Sequence, residues 1–368
     1  MKILIITASY TPNTAFTNRL LAISKGLCQL EQEVELLIIS KDRIDASSIG
    51  LKRLSVNIIR TNLGLSSLDN LISLCKLYIY LKKQPKDTVI LMLGCEFYLP
   101  IACSIPSLKI FHERTEHPDV VRSYPSYWHN FYMNSLKKLS GLFVISTSLK
   151  KYFEDYGVKN VSIINMIVDQ GRFENVSRNH VKKSYIAFCG NGSNNKDGVD
   201  ILIKAFAQLA GKYPEMYLKI IGPAPKDYSA GSNKALVREL QLEDRVEFTG
   251  ITPAVLIPQM LVDAEVLALA RPDSLQAQCG FPTKLGEYLL SGRPVVVTNV
   301  GDIPKFLEHK KSALIAKHSD IDDFARCLLW VLDNPIESQR IGAEGKNVAL
   351  ASFNYLKEAE KLLNGLKN

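Results

Sequence analysis

Cys279-Gly-Phe-Pro-Thr-Lys-Leu-Gly-Glu-Tyr-Leu-Leu-Ser-Gly-Arg-Pro-Val-Val-Val-Thr298 reads as a loop, a helix and a buried strand in succession. Gly280 and Pro282 break the chain, Thr283 opens a helix with Leu285, Tyr288 and Leu289 on its apolar face, and Gly292 ends it. The uncharged, β-branched run Pro294–Thr298 then fits a strand covered on both faces. Outward from this stretch the same alternation recurs. Strand-like runs fall at Ile3–Thr7, Val34–Ser40, Val89–Leu93, Lys109–His112 and Leu142–Ser146, then at Tyr185–Cys189, Tyr217–Ile221, Arg245–Thr249 and Val266–Ala270. Asn18–Leu30, Ser135–Leu139, Val199–Ala210 and Ser319–Leu332 carry helical spacing. Such alternation predicts α/β architecture: parallel sheets with helices on both faces, in two doubly wound domains. The polar, aperiodic stretch Glu174–Ser184 marks the boundary. The expected domains are 1–176 and 177–350, with 351–368 a terminal helix packing back on the first domain.

The 368 residues suit two domains of ordinary size. No stretch approaches the ~18 consecutive apolar residues of a membrane span, and the start reads as a strand rather than a leader, so a cytoplasmic protein is expected. Seven cysteines, an odd number without a Cys-x-x-Cys pair, favour free thiols over disulfides or a zinc site. The net charge of +8 is uneven: residues 1–165 hold 20 Lys+Arg against 13 Asp+Glu, and the remainder holds 25 against 24. A basic first half suggests an anionic membrane surface or substrate. No recognition motif supports nucleic-acid binding, and no complete glycine fingerprint supports a redox enzyme.

Doubly wound sheets bind ligands beyond the carboxyl ends of their strands, so the residues after each strand matter most. At Gly280–Glu287 a helix start offers free N–H groups and positive dipole to a diphosphate. Lys284 in its first turn is unfavourable for the helix itself and makes sense beside an anion. Glu287, one turn on, can accept from both hydroxyls of a ribose. An ordinary helix with a solvated Glu287 is the competing reading. Cys189-Gly-Asn-Gly-Ser-Asn-Asn-Lys-Asp-Gly joins a strand to a helix and suits a phosphate loop in which Lys196 supplies charge beside Gly192. In Phe111-His-Glu-Arg-Thr-Glu-His117, five of the six positions from His112 are ionisable. His112, read as the first residue off its strand, can relay a proton, and Arg114 can grip an anion. The first turn, Ser9 to Arg19, offers Asn13, Thr14 and Arg19.

These residues resemble the retaining glycosyltransferases of family 4, of polysaccharide-synthesis type, over essentially the whole length. Lys196-Asp-Gly-Val-Asp-Ile-Leu-Ile-Lys-Ala-Phe, Leu218-Lys-Ile-Ile-Gly-Pro, Val246-Glu-Phe-Thr-Gly and Ile164-Asn-Met-Ile-Val-Asp-Gln-Gly-Arg-Phe follow in that family's order, and Gly280–Thr298 is the strongest match. The resemblance implies a GT-B fold of two Rossmann-like domains facing a cleft. The reaction it implies is transfer of a sugar from a nucleotide-diphosphate donor, with retained configuration, to a glycan or lipid-linked acceptor. It implies His112, Lys196 and Glu287 as catalytic residues. The donor would lie on Gly192, Lys196, Arg271, Gly280, Phe281, Pro282, Thr283, Lys284, Leu285 and Glu287. Asn13, Thr14, Arg19 and Arg114 would serve the acceptor. No metal or other cofactor is expected, because lysines and a helix start supply the positive charge. The family's first glutamate is replaced by Cys279, leaving Gln276 or Gln278 to contact the donor sugar. Its paired glycines near the first turn are also absent, with Thr14-Ala15 in their place. The alternatives are a non-hydrolysing sugar-nucleotide epimerase of the same architecture or a catalytically degenerate scaffold of a synthesis complex.

Leu71–Lys83 and the aromatic run Tyr124–Tyr132 before Lys137-Lys138 combine apolar and basic residues. They read either as core helices or as a peripheral contact with anionic membrane.

Overall fold

The computed structural model describes residues 1–12, 14–62, 66–122, 124–180, 182–223 and 231–367, without the side chains of 48 and 66. The chain divides into two units, Met1–Ile167 with Tyr355–Asn368, and Val168–Asn354. The boundary thus falls at 167/168 rather than the expected 176/177. Val168 already belongs to the second unit, because its N–H donates to the Phe353 carbonyl at 3.0 Å and it bridges Asn354.

The first unit is a parallel sheet in the order β3-β2-β1-β4-β5-β6-β7. Its strands are β1 (Lys2–Thr7), β2 (Glu33–Ser40), β3 (Leu54–Arg60), β4 (Val89–Leu93), β5 (Lys109–Arg114), β6 (Gly141–Val144) and β7 (Val161–Ile163). The central strands β1 and β4 are buried from Ile3 to Thr7 and from Val89 to Leu93, as strands covered on both faces must be. Thr14 caps the first helix, Ala15–Gln29, by accepting from the Thr17 N–H.

The terminal helix Tyr355–Lys367 belongs to this unit. It buries Ala359, Leu362, Leu363 and Leu366 at helical spacing, each apolar side chain of leucine size contributing about 1.5–3 kcal/mol. It lies so close to Ala15–Gln29 that a Cβ on Gly26 would overlap that of Ala359. Buried Glu358 accepts from the Asn165 N–H at 2.8 Å, fixing the chain beyond β7.

The second unit is also a parallel sheet, in the order β10-β9-β8-β11-β12-β13. Its strands are β8 (Tyr185–Cys189), β9 (Tyr217–Ile221), β10 (Val246–Gly250), β11 (Val266–Leu269), β12 (Val295–Thr298) and β13 (Leu314–Ala316). The helix Val199–Ala210 buries Ile203, Phe206 and Leu209 on one face and packs beside Ile321–Asp333.

Candidate functional site

The second sheet reverses its strand order between β8 and β11. Two segments singled out in the sequence meet at the carboxyl end of β8. The loop after that strand makes one turn of helix, Asn194–Asp197, and ends at Gly198. The helix Thr283–Leu290 starts after Gly280-Phe-Pro, with Pro282 as its N-cap and no side-chain cap, so its leading N–H groups suit an external acceptor. Lys284, in the first turn, places its Nζ 2.7 Å from Asp197 Oδ2 and 4.6 Å from the centre of the Phe188 ring. A Cβ on Gly190 would overlap that ammonium. Tyr288, on the same helix, accepts from the Cys189 N–H at 2.6 Å, so helix and strand end are locked together.

Burial lowers the Lys284 pKa, and Asp197 opposes it while Arg271 adds to it. Glu287 is ion-paired with Arg172, which also donates to the Ala254 carbonyl at 3.1 Å. Burial raises the Glu287 carboxyl above its ordinary range, and Arg172 pulls it back. Burial also pushes the Cys189 thiol up to about 12, so it stays neutral.

The other sequence-selected residues of this unit fall around this junction. Lys196 is half-buried in the one-turn helix. Gly192 adopts φ +70, and its carbonyl accepts from Asn233 at 3.2 Å. Arg271 is 1% exposed, follows β11, and donates to the Ala277 carbonyl at 3.1 Å. Leu285 is fully buried, and Phe281 packs on Phe306 and Phe353, so both support the helix through the core. Gly280 and Pro282 shape the approach to Thr283 and Lys284. Cys279 is buried. Gln278, on the same short helix, donates to Asp273 and its Oε1 accepts from the Gly301 N–H. Asp197, Arg172 and Phe188 were not singled out in the sequence, and Tyr288 was read there only as part of its helix's apolar face.

In the first unit the expectations need correction. His112 is not off the strand but inside β5 and fully buried, with Nδ1 2.8 Å from the Met92 carbonyl and Nε2 3.3 Å from the Tyr132 hydroxyl. Burial pushes its pKa below the ordinary value, which keeps the ring neutral. Arg114 also turns inward, ion-paired with Glu96 and donating to the Glu116 carbonyl. Arg19 is held by Glu113 at 2.7 Å and by the carbonyls of Ile164 and Asn165. These two arginines satisfy buried carboxylates and backbone carbonyls rather than facing a ligand. Thr14 is spent on capping, and Asn13 lies outside the described residues. A cavity of about 220 Å³ opens instead past β1 and β4, where the first sheet reverses its order, lined by Ser9, Asn70, Gly94, Glu96, Phe97 and Pro125. A second cavity, of about 190 Å³, is lined by Ser184, Glu265 and Arg293 at the amino-end side of β8 and β12, away from the ligand end of the sheet.

The helix Ser66–Lys82 is not a core helix all round. Ser73, Leu77 and Leu81 face inward, whereas Leu68, Leu71 and Ile79 are 41%, 57% and 55% exposed beside exposed Lys76, Lys82 and Lys83. Tyr127 and Phe131 are likewise exposed. Among the described residues no helix is long and apolar enough to cross a membrane. The one Asp-x-Asp triplet, Asp320-Ile-Asp322, opens a helix: Asp320 caps the Asp323 N–H at 2.9 Å and Asp322 accepts from Gln208.

Residues 183–334 match the family described as Glycosyl transferases group 1. The candidate colanic acid biosynthesis glycosyltransferase WcaL of Escherichia coli is 31% identical over 134 residues, 36% of this chain and 32% of that protein. Mannosylfructose-phosphate synthase of Agrobacterium fabrum is 27% identical over 242 residues, 60% of this chain and 51% of that protein. The chain thus spans about a third of the length of the first curated relatives it matches. The crystal structure of Anabaena HepE in complex with UDP and glucose superposes with a TM-score of 0.78 at 18% identity, over 100% of this chain and 99% of that one. The two doubly wound units have the GT-B fold, and the match to the family described as Glycosyl transferases group 1 falls within the second.

Proposed function

We propose that this protein transfers a sugar from a nucleotide-diphosphate donor held by its second unit. The observation that carries the reading is the junction of Lys284, the start of Thr283–Leu290 and the Gly190–Gly198 loop at the strand-order reversal. An ammonium and a helix start directed at one place suit the charge that grows on a leaving diphosphate. Lys284, the N–H groups of Thr283 and Lys284, and Lys196 hold the diphosphate. Glu287 accepts from the ribose hydroxyls once Arg172 releases its carboxylate. No metal is needed, because these groups supply its charge. The configuration at the anomeric carbon is retained, and the acceptor is a glycan or lipid-linked sugar of surface polysaccharide synthesis. The cavity lined by Ser9, Glu96 and Phe97 is where the first unit takes that acceptor, in place of Arg19 and Arg114. UDP and glucose bound in HepE, and the glycosyltransferase names among the relatives, support the reading. A thermal-shift screen against UDP, GDP and ADP without metal tests it. One nucleotide should raise the melting temperature, by linkage to the folded state. No shift with any of them would remove the donor site and leave a scaffold.

The exposed apolar face of Ser66–Lys82 supports peripheral contact with anionic lipid at the cytoplasmic face of the membrane. The protein is expected to sediment with vesicles containing phosphatidylglycerol and to be released by salt. Leu71→Asp with Ile79→Asp should abolish sedimentation. Equal sedimentation of wild type and variant would refute the contact.

A further inference from the structure

Asp197 is 2% exposed and within salt-bridge distance of Lys284 through one oxygen, while its other oxygen, Oδ1, is buried with no hydrogen-bond partner. A buried carboxylate with an idle acceptor is a poor way to stabilise a fold, since an apolar pair of the same volume does as well or better. Yet its place is tightly specified. The turn Asn194–Asp197 packs on Leu275–Cys279, and Ser274 Oγ donates to the Asn195 carbonyl at 2.7 Å. Gly198 then holds φ +66, and a Cβ there would overlap the Ala270 carbonyl. Three elements therefore set where the carboxylate stands.

We infer that Asp197 is a positioning residue that holds the Lys284 ammonium beside Gly190, aimed at the donor's diphosphate. The inference rests on the donor reading above. The lysine ammonium lies over the Phe188 ring and where a Cβ on Gly190 would stand, a place with no other partner for it among the described ion pairs. The charged and titratable groups that act on it are Asp197, Arg271 and the Cys189 thiol. Burial and Arg271 favour the neutral amine, and Asp197 is the carboxylate that keeps the proton on. Once the diphosphate arrives, its negative charge shares the ammonium with Asp197, and the lysine meets it without first having to be ordered. Without Asp197 the amine gives up its proton nearer neutral pH and loses its anchor.

The test is UDP affinity of the full chain by titration calorimetry from about pH 6.5 to about pH 9, a range in which an ordinary lysine stays charged. Wild type, Asp197→Asn and Asp197→Glu are compared as ratios at each pH, which cancels the nucleotide's own titration. Asp197→Asn should lose about tenfold or more at the alkaline end, one pK unit being tenfold, and recover much of it at the acid end. Asp197→Glu should restore the flat profile in part. An equal loss at every pH would make Asp197 merely structural, and an unchanged affinity would make it irrelevant; either overturns the proposal alone. Should the wild type bind none of UDP, GDP and ADP, the donor reading falls and this inference with it.

Discussion

Lys284→Met is expected to weaken nucleotide binding about 100-fold and to destabilise the second unit, and the two effects should separate. The substitution keeps an unbranched side chain but removes the ammonium that lies over Phe188, leaving Asp197 buried without its counter-ion. Breaking a buried ion pair from one side costs about 3–5 kcal/mol, toward the lower figure here because the lysine is partly exposed. The charge-assisted contact to a diphosphate should account for about 100-fold in affinity, or about 3 kcal/mol. Adding Asp197→Asn to Lys284→Met removes the stranded carboxylate, so most of the stability returns. Nucleotide binding does not, because the ammonium is still missing. Urea denaturation and UDP calorimetry on the single and double variants measure the two quantities independently. A double variant that binds UDP like the wild type would take the diphosphate away from Lys284. A single variant as stable as the wild type would mean that the pair is not buried as described.

How much of this was legible in the sequence depended on where a residue's partners lie. Interior strands such as β1, β4, β8 and β11 are covered on both faces, so they show as unbroken apolar runs. The strands missing from the reading, β3, β7 and β13, all lie at sheet edges. Two of those have three residues each, and β3 alternates between half-buried and exposed positions. The loop around Lys196 and the helix start at Lys284 were found because glycines before a lysine in the first, and glycine, proline and lysine in that order in the second, break a strand–helix connection in a recognisable way. Asp197 and Arg172 were not, because their partners Lys284 and Glu287 lie far along the chain and composition carries no record of such pairing. His112 shows the opposite failure. Five ionisable residues in six positions resemble a polar loop, but the run starts within β5, and its charges are matched from elsewhere: Glu113 by Arg19, Arg114 by Glu96. Local density of charge does not reveal neutralisation by distant residues.

The second large effect is expected from a residue that touches no ligand. Gly198 ends the turn Asn194–Asp197 and begins Val199–Ala210 at φ +66, where an L residue costs about 1–2 kcal/mol. A Cβ would also overlap the carbonyl of Ala270, a backbone group just past β11 that cannot rotate away as a side chain can. Overpacking of this kind costs about 1–3 kcal/mol, so Gly198→Ala should destabilise the unit by about 3 kcal/mol in all. The control is Gly211→Ala at the other end of the same helix. There φ is −68 and nothing lies within 4 Å of the new Cβ, so the change should be neutral or stabilising by up to about 1 kcal/mol. The chain has two tryptophans, and Trp330 lies in Ile321–Asp333, the helix packed beside Val199–Ala210. In a Trp128→Phe background its fluorescence follows urea unfolding of this unit alone. Because Asp197 precedes Gly198 directly, the strain must also shift the carboxylate that faces Lys284, so UDP affinity should fall with stability in Gly198→Ala and stay unchanged in Gly211→Ala. A Gly198→Ala protein within about 0.5 kcal/mol of wild type, the scatter of ordinary surface changes, would show that the loop does not approach β11 this closely. The placement of Asp197 beneath the diphosphate would then lose its structural support.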